Sequence, residues 1–281
     1  MTAAVDPKTI WRVIDHALAE DLGSGDITSA AVIPEDARFR GVMTARQRLV
    51  VAGLDIAFEV FKKLDPDAVL ETIVVDGDHI QAGTRMTVVE GNARAMLGAE
   101  RTALNLLQHL SGIATLSHAF VERMEGTGAV LLDTRKTVPG LRELAKYAAR
   151  MGGARNHRMG LGDGVLIKDN HIAVAGSVGQ AVKRARDGGL ESIEVECDTI
   201  GQVTEAIAAG ADRLLLDNMD LETIAQAVEL ARGKAETEAS GGVSLQTVGA
   251  IAKTGVDFIS AGAITLSAPA VDIGLDWETE G

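Results

Sequence analysis

The sequence is poor in cysteine, in aromatic residues and in positive charge. One cysteine, Cys197, in 281 residues excludes an intrachain disulfide, and 3% aromatic residues leave the core to aliphatic side chains. No apolar run comes near the roughly 18 residues that a bilayer crossing needs; the longest, such as residues 49–52 and 214–216, are short. The chain has 27 Lys and Arg against 40 Asp and Glu, a net charge of -13 that repels phosphate backbones and anionic surfaces. With few rings on which bases could stack, nucleic acid is a poor partner. The first residues, MTAAVDPKTIWRVIDHALAEDLG, show no basic segment leading into an apolar one, so we expect a cytoplasmic protein without a membrane partner. No P-loop, zinc-spaced Cys/His set or GxSxG occurs, and the GxGxG at residues 160–164 precedes a strand instead of following one.

What is present is ordinary globular material, 46% hydrophobic and 24% charged, and long enough for one large domain and one smaller one. The first hundred residues mix a helix over 7–22 with strand-like runs at 42–45 and 86–90. A long helical pattern then covers residues 92–125. Met96, Ala99, Ala103, Leu106, Leu107, Leu110, Ile113 and Ala114 share its apolar face, while Arg94, Gly98, Arg101, Asn105 and Gly112 share the other. Glycine there costs about 1 kcal/mol against alanine but lets another backbone come close.

Beyond residue 126 the rhythm becomes strand, turn, helix. Strands are predicted at 129–133, 164–167, 192–196, 213–216, 235–239 and 256–260, and helices at 141–151, 178–187, 200–209, 221–232 and 245–254. Apolar strands alternating with helices pair in parallel, and six units predict an α/β barrel short of the complete eight. The strand ends of such a barrel share one mouth. They supply Thr134, Arg135 and Lys136, then Lys168, Glu196, Asp217, Ser240, Gly241 and Gly242, and Ser260, Ala261 and Gly262; His157 and Arg158 lie in the glycine-rich approach to the second strand. Cations gathered in an acidic chain point to an anionic substrate, and the glycine-bearing ends to a phosphate held at a helix N-terminus. Glu196 and Asp217 suit either a hydrated Mg²⁺ on a diphosphate or the stabilisation of positive charge at a sugar carbon.

The same residues resemble the quinolinate phosphoribosyltransferases, or carboxylating nicotinate-nucleotide pyrophosphorylases. The matching stretches are EDLGSGDITS (20–29), ERTALNLLQHLSGIAT (100–115), DTRKTVPGLRELAKYA (133–148), NHRMGLGDGVLIKDNH (156–171), IEVE (193–196), LLLDN (214–218) and EASGG (238–242). The resemblance implies an N-terminal α/β sandwich domain over 1–110, with the tail 270–281 packing back on it, and an open α/β barrel over 111–269. It implies transfer of a phosphoribosyl group from phosphoribosyl pyrophosphate to quinolinate with Mg²⁺, giving nicotinate mononucleotide, pyrophosphate and CO₂ in NAD biosynthesis. It assigns Arg135, His157, Arg158 and Lys168 to the quinolinate carboxylates, with Lys136 also near the diphosphate. Glu196 and Asp217 go to the ribose and metal, and the turns at 240–242 and 260–262 to the 5′-phosphate. It also implies a homodimer in which Arg101 reaches the neighbouring site. Two departures stand out: Leu266 in GAITLS where the family commonly has histidine, and Ala154 where glycine is frequent. The rival readings are a paralogue acting on another pyridine acid, a Schiff-base aldolase using Lys168, and a non-catalytic anion-binding barrel.

Overall fold

The computed structural model describes residues 5–278. Helix α1 (Pro7–Leu22) starts where the sequence places it, because the Asp6 carboxylate accepts from the Lys8 amide at 3.0 Å and Pro7 needs no amide partner. Asp26 caps α2 (Ile27–Val32) in the same way. The chain continues through β1 (Arg38–Ala45), β2 (Leu49–Val50), α3 (Leu54–Leu64), β3 (Val69–Thr72), β4 (His79–Ile80) and β5 (Arg85–Asn92) into the 31-residue α4 (Ala93–Arg123). There follow β6 (Val130–Leu132), α5 (Arg142–Met151), β7 (Val165–Ile167), α6 (Asp169–Ala175), α7 (Val178–Asp187), β8 (Ile193–Cys197) and α8 (Ile200–Ala208). The remainder is β9 (Arg213–Asp217), α9 (Leu221–Ala231), β10 (Glu236–Ser240), α10 (Val248–Ala252), β11 (Phe258–Ser260), α11 (Ala263–Leu266) and β12 (Ile273–Trp277).

The chain divides into two compact units. One holds the described residues up to His118 with Val138–Gly153 and the stretch from Ser267 onward; the other holds Ala119–Thr137 and Ala154–Leu266. In the first, a four-stranded antiparallel sheet runs β12-β1-β5-β3, so the C-terminal strand pairs with β1. The predicted apolar face of α4 is buried throughout, with Met96, Ala99, Ala103, Leu107, Ile113 and Ala114 fully enclosed. Gly112 is buried as well. A Cβ there would stand 2.2 Å from the Pro269 carbonyl oxygen, so the backbone admitted by this glycine is the chain's own tail. Gly152, at the end of α5, is equally constrained, since a Cβ would lie 2.1 Å from the Ala114 oxygen.

The second unit is a six-stranded parallel sheet in the order β6-β11-β10-β9-β8-β7. All six predicted strands are present. Curling such a sheet brings β6 and β7 to the two edges of an open α/β barrel. At the β6 edge the Arg155 backbone bonds to Leu131 and Asp133, and no ladder joins β6 to β7 among the described residues. Leu214, Leu216, Val195 and Ile259 are buried on the strands, supporting the sheet from within the helical layer.

Candidate active site

Period-two alternation selects which strand residues face the barrel interior. Asp217 on β9, Ser240 on β10 and Ser260 on β11 end their strands on that side, Glu196 lies one residue before the end of β8, and all four line a cavity of about 420 Å³. Thr134, Arg135, Lys136, His157, Arg158 and Lys168 line it too, Glu238 reaches its floor, and Leu166 and Leu215 are its apolar part. Ten of the predicted site residues are therefore brought to one place.

The cationic side is organised from β6. Asp133 is fully buried and accepts from the His157 amide at 2.9 Å and from the Asn156 side-chain amide, which ties the glycine-rich loop to the strand end. That loop then presents His157 and Arg158. The Arg158 guanidinium donates to the Gly164 carbonyl at 3.0 Å. Burial, and after it the charge of Arg135 beside it, hold Arg158 below the ordinary arginine value. Like charges pressed together in an acidic chain form a receptacle for an anion. Lys136 is placed by its backbone: its amide donates to the Thr134 hydroxyl at 2.9 Å and its carbonyl accepts from the Thr265 hydroxyl at 2.7 Å.

The acidic side lies on adjacent strands. Glu196 is ion-paired with Lys168, and Asp217 accepts from the Asn218 side chain at 2.6 Å. Asn218 takes a left-handed conformation, φ 53°, which asparagine tolerates better than most residues, and turns the chain sharply after Asp217. Two hard carboxylates at neighbouring strand ends form a donor set of the kind Mg²⁺ takes alongside water and phosphate oxygens.

The glycine-bearing turns serve more than one purpose. Gly241 has φ 87° and leaves room for the Asn218 side chain, whose oxygen would meet a Cβ at 2.2 Å. Gly262 likewise leaves room for Lys136, and Gly242, φ 59°, opens onto free space. Two expectations need correction. The turn at 240–242 is not a helix N-terminus, because α10 begins only at Val248. The Ala261 amide is also unavailable to a ligand, since it donates to the Leu132 carbonyl at 3.1 Å. Arg101 is exposed on α4, in the first unit, and is not among the residues lining the cavity.

Two acids that sequence reasoning missed lie beneath this site. Glu194 and Glu238 are 5% and 0% exposed, and their carboxylates stand 3.0 and 3.5 Å from His157 Nε2. Burial opposes charge on the imidazole, but the Glu194 carboxylate, which accepts from Nε2, and then Glu238 beside it outweigh burial and lift the ring to about 9. Glu194 itself is raised by burial; Glu238 is held low despite burial by the His157 ring 3.5 Å away. Their signal was in the sequence: each lies two residues before an inward residue, Glu196 and Ser240, and so on the same face. His157, Glu194 and Glu238 could in type hold a metal, their ligand atoms lying within 4.8 Å of one another. A cation is already at hand, however, with the Arg213 guanidinium 3.6 Å from Glu238.

Comparison with known proteins extends the resemblance noted in the sequence. Family models described as the N-terminal and C-terminal domains of quinolinate phosphoribosyl transferase match residues 26–111 and 113–276. The chain is 45% identical to the carboxylating nicotinate-nucleotide pyrophosphorylase of Mycobacterium leprae, over 94% of this chain and 95% of that one. It is 43% identical to the chloroplastic protein of that description from Arabidopsis thaliana, over 95% and 82%. The solved nicotinate-nucleotide pyrophosphorylase of Francisella tularensis superposes with a TM-score of 0.94 at 41% identity, covering 98% of each chain.

Proposed function

The chain belongs to the quinolinate phosphoribosyltransferase family, and from that premise we propose how its cavity performs the decarboxylating transfer of phosphoribose to quinolinate in NAD biosynthesis. The observation that carries the reading is the cavity wall itself: Arg135, Lys136, Arg158 and Lys168 on one side, Glu196 and Asp217 on the other.

Quinolinate carries two adjacent carboxylates that repel one another. Guanidinium forks at Arg135 and Arg158, with His157 and Lys168, would bind them, each charge-assisted bond contributing about 1.5–3 kcal/mol. Holding the ring nitrogen against the sugar's anomeric carbon removes about 7–11 kcal/mol of the barrier, the scale of a well-oriented bimolecular step. As pyrophosphate departs, positive charge would grow on the sugar, and Glu196 and Asp217 would face it. The same two residues fit Mg²⁺, which when bound would screen the charge of the pyrophosphate. Lys136 would steady the diphosphate, with Thr134 fixing its backbone. Ser240, Gly241, Gly242, Ser260 and Gly262 would hold the 5′-phosphate; Ala261 supports that turn without donating to it. After transfer, loss of CO₂ would leave its electron pair in the ring plane on the carbon beside the pyridinium nitrogen, whose positive charge stabilises it until that carbon takes a proton from water; the protein need only hold the ring in place.

Arg101 would enter the site of a second subunit, which makes the functional unit a homodimer; its exposure on α4 supports this. No helix among the described residues is long and apolar enough to cross a membrane, and the lone cysteine agrees with a cytoplasmic setting. Incubation with quinolinate, phosphoribosyl pyrophosphate and Mg²⁺ tests the reaction. CO₂ and pyrophosphate are expected in equal amounts. Release of neither product with quinolinate would favour another pyridine acid, and borohydride trapping of a carbonyl substrate on Lys168 would favour an aldolase.

A further inference from the structure

The interior of an α/β barrel is normally filled by branched aliphatic side chains, yet the layer below this cavity contains Glu194 from β8 and Glu238 from β10. Burying a carboxylate is costly unless a partner compensates it. Neither oxygen of Glu238 makes a hydrogen bond among the described residues, nor does Oε1 of Glu194. Arg213, on β9 between them, is 2.7 Å from Glu236 and only 3.6 Å from Glu238, so its closer partner is the more exposed acid. The compensation therefore falls on His157, whose Nε2 faces both buried carboxylates. The other charges around the imidazole are Asp133, which binds the His157 amide, and Arg158, next in the chain with Arg135 beside it.

We propose that Glu194 and Glu238 are positioning residues that hold the His157 ring charged and fixed at the floor of the substrate cavity. The Arg158 amide lies 2.8 Å from Nδ1, so the neutral ring carries its proton on Nε2, toward the acids. Charging the ring gives up that hydrogen bond and sets a second N–H against the Arg158 amide, a cost that attraction to two carboxylates in a dry site outweighs. A charged His157 adds to the cationic wall facing a dianion at pH values where free histidine is neutral. His157 lines a second cavity too, of about 440 Å³, in whose wall Glu194 stands, so the cluster forms the partition between two spaces.

This inference rests on the quinolinate reading for its consequence and on the protein alone for its premise, and the test keeps the two apart. Ring ¹⁵N spectra of histidine-labelled protein, with the His157 signal identified by its loss in His157→Gln, report protonation without substrate. An imidazolium that persists through pH 8 is expected; a neutral ring with its proton on Nε2 at pH 7.5 would overturn the proposal. In Glu238→Gln the midpoint should fall by at least one unit, about tenfold in proton affinity. KM for quinolinate should rise about tenfold above pH 7.5 while kcat changes less, and Glu238→Asp should restore both. A loss of kcat equal at every pH, with the His157 midpoint unmoved, would show a merely structural role. Should the variant fail to fold, the wild-type titration still decides. Should the wild type not use quinolinate at all, the function fails while the His157 measurement stands.

Discussion

At the scale of single residues, electrostatics gives pH dependence a sign. The His157 ring is held near 9 by its two acids, against an unfolded value near 6.5. Its contribution to stability is therefore fully present below about 6.5 and is lost as the pH climbs through about 9. Urea midpoints measured at pH 6.5 and 9 should fall across that window, and the fall should be smaller in Glu238→Gln. Cys197 behaves differently. It is fully buried, and burial followed by Asp198 pushes its thiol up to about 12. The folded protein should resist alkylation at pH 8 and react only in denaturant; rapid labelling of the native state would contradict the placement. Residue identity alone made the cations legible, because Arg135, Lys136 and Lys168 follow strand ends, and Arg158 lies in the glycine-rich approach to a strand, in a chain short of positive charge. Glu194 and Glu238 were overlooked for the converse reason: in an acidic chain another glutamate reads as surface, and only the strand period turns it inward.

At the scale of elements, close backbone approach replaces side-chain chemistry. Helices α4 and α5 meet where Gly152 faces Ala114, and a methyl group there would collide with a backbone oxygen that cannot rotate away. Gly152→Ala should cost about 1–3 kcal/mol by overpacking, whereas Gly242→Ala, opening onto free space, is expected to pay only for its left-handed backbone. Thermal unfolding of both variants separates the two effects. Hydrophobic periodicity located α1 and the six parallel strands, because apolar spacing is local and does not depend on distant partners. It overextended α10, predicted over 245–254 and observed over Val248–Ala252, since the turn after the Ser240 strand end takes up residues that helical spacing alone cannot distinguish. The Ala261 amide shows a further limit. Its carbonyl partner, Leu132, comes from a strand more than a hundred residues earlier, and no local pattern records that pairing.

At the scale of the whole molecule, the open barrel explains how one chain gathers cations and acids without spending a separate domain on either. Successive strand ends supply one group each, and the parallel sheet orders them around a common mouth. The architecture was readable from six repeats; the homodimer is implied only by the family resemblance, because an exposed arginine on a helix has no local feature that names its destination. Mixing Arg101→Ala with Arg135→Ala subunits resolves this. If Arg101 acts across a two-fold dimer, random exchange creates hybrids with one intact site and restores about a quarter of wild-type activity. If Arg101 acts within its own chain, no activity returns.

Calorimetric binding of quinolinate to the wild type, Arg135→Ala and Arg158→Ala most directly tests whether the converging cations grip a diacid. Each lost guanidinium should weaken binding by roughly 10- to 150-fold, the equivalent of about 1.5–3 kcal/mol, while the folded state remains intact by circular dichroism. Unchanged affinity in both variants would contradict the account.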